Sequence, residues 1–362
     1  MRLAALPLLA LAGCIPSIDR PPEQGGGAVR YPPLPPAPVA EQAGDWQRQS
    51  PDAGVTTLPA PRPAWEARPV VADAPAVEAQ DYVVRPGDTL YRIASATGAG
   101  ADAIARANGL ESPYRLTPGQ RLTVPSGRYH LIRPGESGIA IARAYGVPWA
   151  RIVEVNGLAE PFILRAGQRV LIPDAAVAAP GPSTAAQRAA AFKLDIEDIV
   201  TGGEPALATN QAPAKPASTP RRVLPSTAAV AAPARLAGGF VWPVEGRIVT
   251  RFGPGASGER QNGVNIAVPL GTPVRASGDG VVAYAGSAIP SLGGLVIVKH
   301  GGGWTTVYGY AARLLVQRGQ AVKRGQPVAV SGQTGGADRP AVHFELRRGR
   351  TPVDPQSQLP PL

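Results

Sequence analysis

A chain of 362 residues with 43 glycines and 42 prolines is poorly suited to one large core, so its apolar residues must gather in several compact domains joined by loose chain. Its 36 Lys and Arg against 26 Asp and Glu leave a formal net charge of +10, which favours anionic partners, yet no nucleic-acid-binding module is legible. The single cysteine excludes an intramolecular disulfide framework, and three histidines leave little imidazole for a metal centre.

At the start of the chain, Met1 and Arg2 precede an apolar run from Leu3 to Ala12, and Leu11-Ala12-Gly13-Cys14 places small residues just before the cysteine. The run is too short to span a bilayer as a helix. It resembles a bacterial lipoprotein signal over residues 1–13, which implies lipidation of Cys14 and a durable membrane anchor built from several acyl chains. Ile15 rather than Asp after the cysteine implies, by the same resemblance, the periplasmic side of the outer membrane of a Gram-negative bacterium. Residues 14–79, with Pro32-Pro33-Leu34-Pro35-Pro36, predict an extended, disordered linker.

Two copies of one unit follow, over 80–126 and 127–174. Gly87, Asn108, Gly119 and Gln120 recur as Gly135, Asn156, Gly167 and Gln168, and so constant an offset marks a duplication. Each copy predicts a strand, two helices and a closing strand, with Val84, Leu90, Ile93, Ile104 and Leu122 facing inward in the first. The runs Tyr82 to Leu90 with Asn108-Gly109-Leu110, and Tyr129 to Ser137 with Asn156-Gly157-Leu158, resemble LysM modules. That resemblance implies a βααβ fold that binds glycan strands of peptidoglycan in a shallow groove. The groove residues it implies are Gly87, Asp88, Thr89, Leu90, Asn108 and Leu110 in the first copy, and Gly135, Glu136, Ser137, Asn156 and Leu158 in the second. For Asn108 and Asn156 a helix-end or turn role stays open beside direct sugar contact. The second copy departs from the Gly-Asp-Thr-Leu pattern at Glu136-Ser137-Gly138.

Residues 175–237 are again rich in Ala and Pro and predict a second disordered linker. Within it Ala185 to Val200 predicts one transient helix, with Phe192, Ile196 and Ile199 partly on one side.

The last segment, 238–358, alternates short β-rich runs with glycine turns such as Gly278-Asp279-Gly280. Its motifs, in order, resemble the LytM or M23 zinc peptidases, which hold zinc with His-x-Gly-x-Asp and the second His of His-x-His. Here the first motif reads Gln261-Asn262-Gly263-Val264-Asn265 and the second Ala341-Val342-His343. The further catalytic histidines of that family fall at Tyr310 and Ala341. A neutral amide offers a weak dipole where zinc wants a basic nitrogen or an anion, so the sequence predicts no metal, no cofactor and no catalytic residue. His300 reads as a hydrogen-bonded residue at a strand end. Arg339, Arg347, Arg348 and Arg350 cluster near the second motif.

The whole predicts a multidomain α+β protein, with two LysM-like units and an all-β C-terminal domain joined by disordered linkers. The combination resembles the NlpD-type murein hydrolase activators. It implies a non-catalytic envelope protein that switches on a cell-wall N-acetylmuramoyl-L-alanine amidase during septum splitting. A vacant groove of Gln261, Asn265, Tyr310, Arg339, Ala341, His343 and Arg347 would meet that amidase. An active endopeptidase with unusual ligands, and a purely structural tether between membrane and wall, are the competing readings.

Overall fold

The computed structural model describes residues 63–173, 184–218, 224–234, 236, 238–255 and 258–361. Every described residue belongs to one compact unit. Cys14, the leader and the Pro32–Pro36 run lie outside the described residues.

The segment just ahead of the repeats is ordered, contrary to the expectation of loose chain up to residue 79. Helix α1 (Ala64–Ala67) buries Trp65, whose ring stacks on Tyr284 of the C-terminal domain at 5.6 Å, and β1 (Ala76–Val77) pairs with the second repeat. One large aromatic surface removed from water outweighs the extended bias of the surrounding prolines.

The first repeat contains β2 (Gln80–Val83), α2 (Leu90–Thr97), α3 (Ala101–Ala107) and β3 (Arg121–Val124). The second contains β4 (Gly127–Leu131), α4 (Gly138–Tyr145), α5 (Trp149–Asn156) and β5 (Arg169–Ile172). In each, the opening and closing strands pair antiparallel and the helices pack on them. The first helix starts on a hydroxyl cap, Thr89 in one copy and Ser137 in the other, and stops at a left-handed glycine, Gly98 or Gly146. The expected inward residues Val84, Leu90, Ile93, Ile104 and Leu122 are all buried.

Two of the differences between the copies compensate in volume. The first pairs Leu90 with Ala101, whereas the second has Gly138 and Trp149 at the matching positions. A side-chain carbon on Gly138 would stand 2.7 Å from the Trp149 ring, so the indole, fully buried, fills the space that the leucine fills in the first copy.

The second linker is structured where described. Instead of one helix over 185–200 there are two, α6 (Ala185–Ala191) and α7 (Ile196–Gly202). The break follows from Asp195: its carboxylate accepts from Asp198 N at 2.8 Å, Asp198 returns the bond to Asp195 N at 3.3 Å, and this capping box begins a new helix. Helix α7 buries Ile196, Ile199 and Val200, and Trp149 Nε1 donates to Thr201 Oγ1 at 3.0 Å. The Ala and Pro composition masks this docking, because the few apolar residues of α7 find their partners far away in sequence.

The C-terminal domain is built from β6 (Arg247–Thr250), β7 (Gly253–Pro254), β8 (Arg260–Gln261), β9 (Val264–Ala267), β10 (Pro273–Arg275), β11 (Gly280–Gly286), β12 (Gly294–Lys299), β13 (Trp304–Leu314), β14 (Ala321–Val322), β15 (Pro327–Ser331), β16 (Ala341–Arg348) and β17 (Thr351–Val353). The main sheet runs β14-β11-β12-β13-β16-β9-β6. Side chains alternate across it. One face sends Val264, Ile266, Val296, Val298, Tyr308, Val342, Phe344 and Leu346 into the main core. The other carries Leu295, Ile297, Val307, Tyr310 and Ala341, and packs against Trp65, Ile139 and the apolar side of α7. That second face also bears the motif residues.

Candidate functional site

Strand register gathers the C-terminal motif residues. Asn265 on β9 lies opposite His343 on β16, and His343 lies opposite Gly309 on β13. With a period of two, Ala341, His343, Glu345 and Arg347 share one face of β16 and form a row. His343 Nδ1 is 2.8 Å from Asn265 Oδ1, and its Nε2 is 3.0 Å from Glu345 Oε1. Arg347 Nη1 donates to the other Glu345 oxygen at 2.8 Å, and its Nη2 donates to the Arg350 carbonyl at 3.0 Å. Burial alone would raise the Glu345 carboxyl, but the hydrogen bonds and positive charge of His343 and Arg347 outweigh it and hold the group below its ordinary range.

The row ends under α7. Glu197 accepts from Arg350 Nε at 2.7 Å and stands 3.8 Å from Arg347 Nη2. Arg347 is therefore buried, with 3% of its surface exposed, and cannot serve as the exposed groove anchor expected from the sequence. The reason is positional: a residue four places beyond His343 on the same strand face runs beneath the helix, where Glu345 and Glu197 supply its counter-charges. Arg339, by contrast, is exposed and, among the described residues, pairs with its neighbour Asp338.

Tyr310 packs its ring 5.5 Å from that of His343 and adopts a left-handed backbone, φ 66°, which is uncommon for a tyrosine. Burial pushes its phenol pKa up. Gln261 turns away from the histidine, its amide donating to Glu259 at 2.9 Å. A zinc ion does not fit this set. Both ring nitrogens of His343 are engaged, the Asn265 oxygen is committed to that ring, and the Gln261 amide faces elsewhere. Among the described residues no three His, Cys, Asp or Glu side chains converge. His300 behaves as expected of a strand-end residue, with Nδ1 2.8 Å from the Asp279 carbonyl and Nε2 2.8 Å from Thr306 Oγ1.

In the repeats, both asparagines are staples. Asn108 Nδ2 donates to the Ile104 and Thr123 carbonyls, and its Oδ1 accepts from Thr123 N, each at 2.8 Å. Asn156 makes the same three bonds to Ile152 and Leu171, again at 2.8 Å. These bonds tie the second helix to the closing strand, which is the helix-end role of the two left open by the sequence. Asp88 accepts from Tyr82 OH and Arg85 N, and its counterpart Glu136 accepts from Arg133 N and contacts His130, the counterpart of Tyr82. The second copy thus exchanges both members of a pair and keeps the turn.

A family model described as LysM domain matches residues 82–125 and 130–173, and one described as Peptidase family M23 matches residues 259–355. The chain carries two LysM domains and one M23 domain. Cell division protein DipM of Caulobacter vibrioides is 41% identical over 154 residues, which are 40% of this chain and 25% of that protein. Lipoprotein NlpD/LppB homolog of Pseudomonas aeruginosa is 46% identical over 135 residues, 37% of this chain and 44% of that protein. Murein hydrolase activator NlpD of Salmonella typhimurium is 26% identical over 279 residues, 77% of this chain and 68% of that protein. The chain spans less than half the length of the first two relatives. Its domain content fits an NlpD-type protein.

The two LysM domains differ in what lies in their grooves. In LysM1, Gly87 has open space where a side chain would project, and Thr89 is exposed. In LysM2, Glu136 and Ser137 are buried and the segment Pro205–Leu207 runs between the loops. Sequence reasoning missed Glu345, Glu197 and this segment. Glu345 was findable, since it stands two residues from His343 on one strand and so on one face.

Proposed function

We propose that this protein is a non-catalytic envelope lipoprotein, anchored through Cys14 on the periplasmic side of the outer membrane. It holds peptidoglycan glycan through its LysM domains and activates a cell-wall N-acetylmuramoyl-L-alanine amidase during septum splitting. The observation that carries this reading is the fate of His343. The one remaining histidine of the M23 motifs is locked between Asn265 and Glu345, a buried hydrogen-bonded row with no vacancy for metal or water activation. A fold kept while its chemistry is filled with amide, phenol and methyl groups is a surface for recognition. The names of the relatives, among them a murein hydrolase activator and a lipoprotein, agree.

The surface open to an amidase is the rim formed by Gln261 and Arg339, and the buried Tyr310, Ala341 and His343 form the floor behind it. Arg347 belongs to the foundation beneath it. Activation requires that this rim bind the active form of the amidase better than the inactive one. The test is purified mature protein with peptidoglycan, with and without a cognate amidase. No fragments are expected from the protein alone, and a faster release by the amidase is expected when both are present. Chelator-sensitive cleavage of peptide crosslinks by the protein alone would make it an endopeptidase. No change in amidase rate would leave it a tether.

A further inference from the structure

The grooves of the two LysM domains present matching backbone groups at three of four positions, and in the second all four are already used. Gly135 N–H donates to the Ala206 carbonyl at 3.0 Å, and the Glu136 carbonyl accepts from Ala206 N at 2.6 Å. On the facing loop, the Leu164 carbonyl accepts from Leu207 N at 3.0 Å, and Ala166 N donates to the Leu207 carbonyl at 2.8 Å. Bridges at Ser137 with Pro205 and at Arg165 with Leu207 give the segment strand character against both walls. Ala206 and Leu207 are each 4% exposed.

In LysM1 the matching groups are Gly87 N–H, the Asp88 carbonyl and the Leu116 carbonyl, and none has a hydrogen-bond partner among the described residues. The position matching Ala166 is Pro118, which has no N–H to donate. The first groove therefore lacks one of the four bonds that hold a peptide strand in the second. Residues beyond the strand reinforce the contrast: the Arg68 and Thr227 side chains lie within 4 Å of where a Gly135 side chain would stand, and nothing stands that close at Gly87.

The structure assigns the LysM2 groove to an extended peptide, this chain's own Pro205–Leu207 segment, and leaves LysM1 as the domain that takes glycan. This rests on the reading above that LysM grooves here hold glycan. The segment is tethered on both sides. Upstream, Thr201 bonds Trp149 of LysM2 and Glu204 pairs with Arg318 of the M23 domain at 2.7 Å, and downstream Ala217 N donates to the Gly319 carbonyl of that domain at 2.9 Å. A tethered strand competes at an effective concentration on the order of millimolar, so a free sugar that binds weakly cannot displace it. LysM2 then works as a clasp that fixes α7 between the repeats and the sheet.

The test is a titration of the full mature chain with the pentamer of N-acetylglucosamine, read by calorimetric stoichiometry and by amide chemical shifts. One pentamer per chain is expected, with shifts at Gly87 to Leu90 and none at Gly135 to Ser137. The double variant Ala206→Pro, Leu207→Ser removes one strand N–H and the buried side chain, and it should gain a second equivalent with new shifts at Gly135 to Ser137. Shifts in both grooves of the parent chain would overturn the assignment, and so would a folded variant that still binds one pentamer in LysM1 alone. If the variant does not fold, the parent's shift map decides. A parent that binds no pentamer at either groove defeats the glycan reading itself, a distinct failure.

Discussion

LysM1 and LysM2 share a backbone, a cap, a pair of asparagine staples and a left-handed glycine at each matched turn, yet one groove is open and the other is filled by the chain. What separates them is a small set of exchanges. Leu90 and Ala101 become Gly138 and Trp149, Tyr82 and Asp88 become His130 and Glu136, and Pro118 becomes Ala166. All three keep the module intact, and the first and last add an attachment point: an indole that reaches Thr201 and an N–H that reaches Leu207. A duplicated module can thus keep its fold and trade a ligand for a neighbour.

The comparison breaks most sharply at Trp149. Trp149→Ala should cost about 3–5 kcal/mol in LysM2 and release α7, whereas exchanges at its counterpart Ala101 that preserve volume should leave α7 untouched. Chemical denaturation together with a label on α7 checks both effects.

Next comes pH. Burial, then the nearby Asp195 charge, raises the Asp198 carboxyl to about 7, with Glu197 opposing its ionisation further and Arg350 favouring it. A carboxyl raised above its unfolded value stabilises the fold fully below that lower value, and the contribution is lost as pH rises through the folded one. Stability of the α7 attachment should therefore fall between about pH 4 and pH 7, by at most about 4 kcal/mol. Asp198→Asn should flatten this part of the profile in denaturation curves taken across that range, and LysM1 should show no matching dependence.

The asparagine staples sharpen the comparison from the other side, because they make the same three bonds at different depths. Asn156→Ala should destabilise its domain by about 1–3 kcal/mol, since it leaves buried backbone partners unpaired, and Asn108→Ala by about 0.5–1.5 kcal/mol, since its partners at Thr123 are exposed to water. The thermal midpoint of each variant checks this. A loss of sugar affinity in Asn108→Ala without a loss of stability would make it a ligand contact after all.

Smallest is Glu197→Gln. Its ion pair with Arg350 is part-exposed, each side chain at 30%, so about 1 kcal/mol is expected, measured as a shift in the same denaturation midpoint.

Much of this architecture could be read before any coordinates. The constant offset of the repeat fixed two modules of one fold, and the order of the glycine turns with the two M23-like motifs fixed the sheet. Residue types also put amides, Gln261 and Asn265, where the resemblance expects zinc ligands. What escaped was docking. Ile196, Ile199 and Val200 are too few to distinguish a packed helix from a transient one by pattern alone, and their partners stand on β11 to β13. The Arg347 error had the same origin: charge near a groove suggested exposure, while the alternation of β16 carried it into a buried row. Gly138 with Trp149 was a signal in plain view, a paired departure from the first copy that makes sense only once a third element rests against the indole.

The inequality of the two LysM domains is tested most directly by hydrogen exchange on the intact protein without sugar. The account predicts slow exchange at Gly135, Ala166, Ala206 and Leu207, all bonded across the second groove, and fast exchange at Gly87, which has no partner in the first. Equal, fast exchange at Gly87 and Gly135 would mean that the strand does not occupy LysM2 in solution, and the two domains would have to be treated as alike.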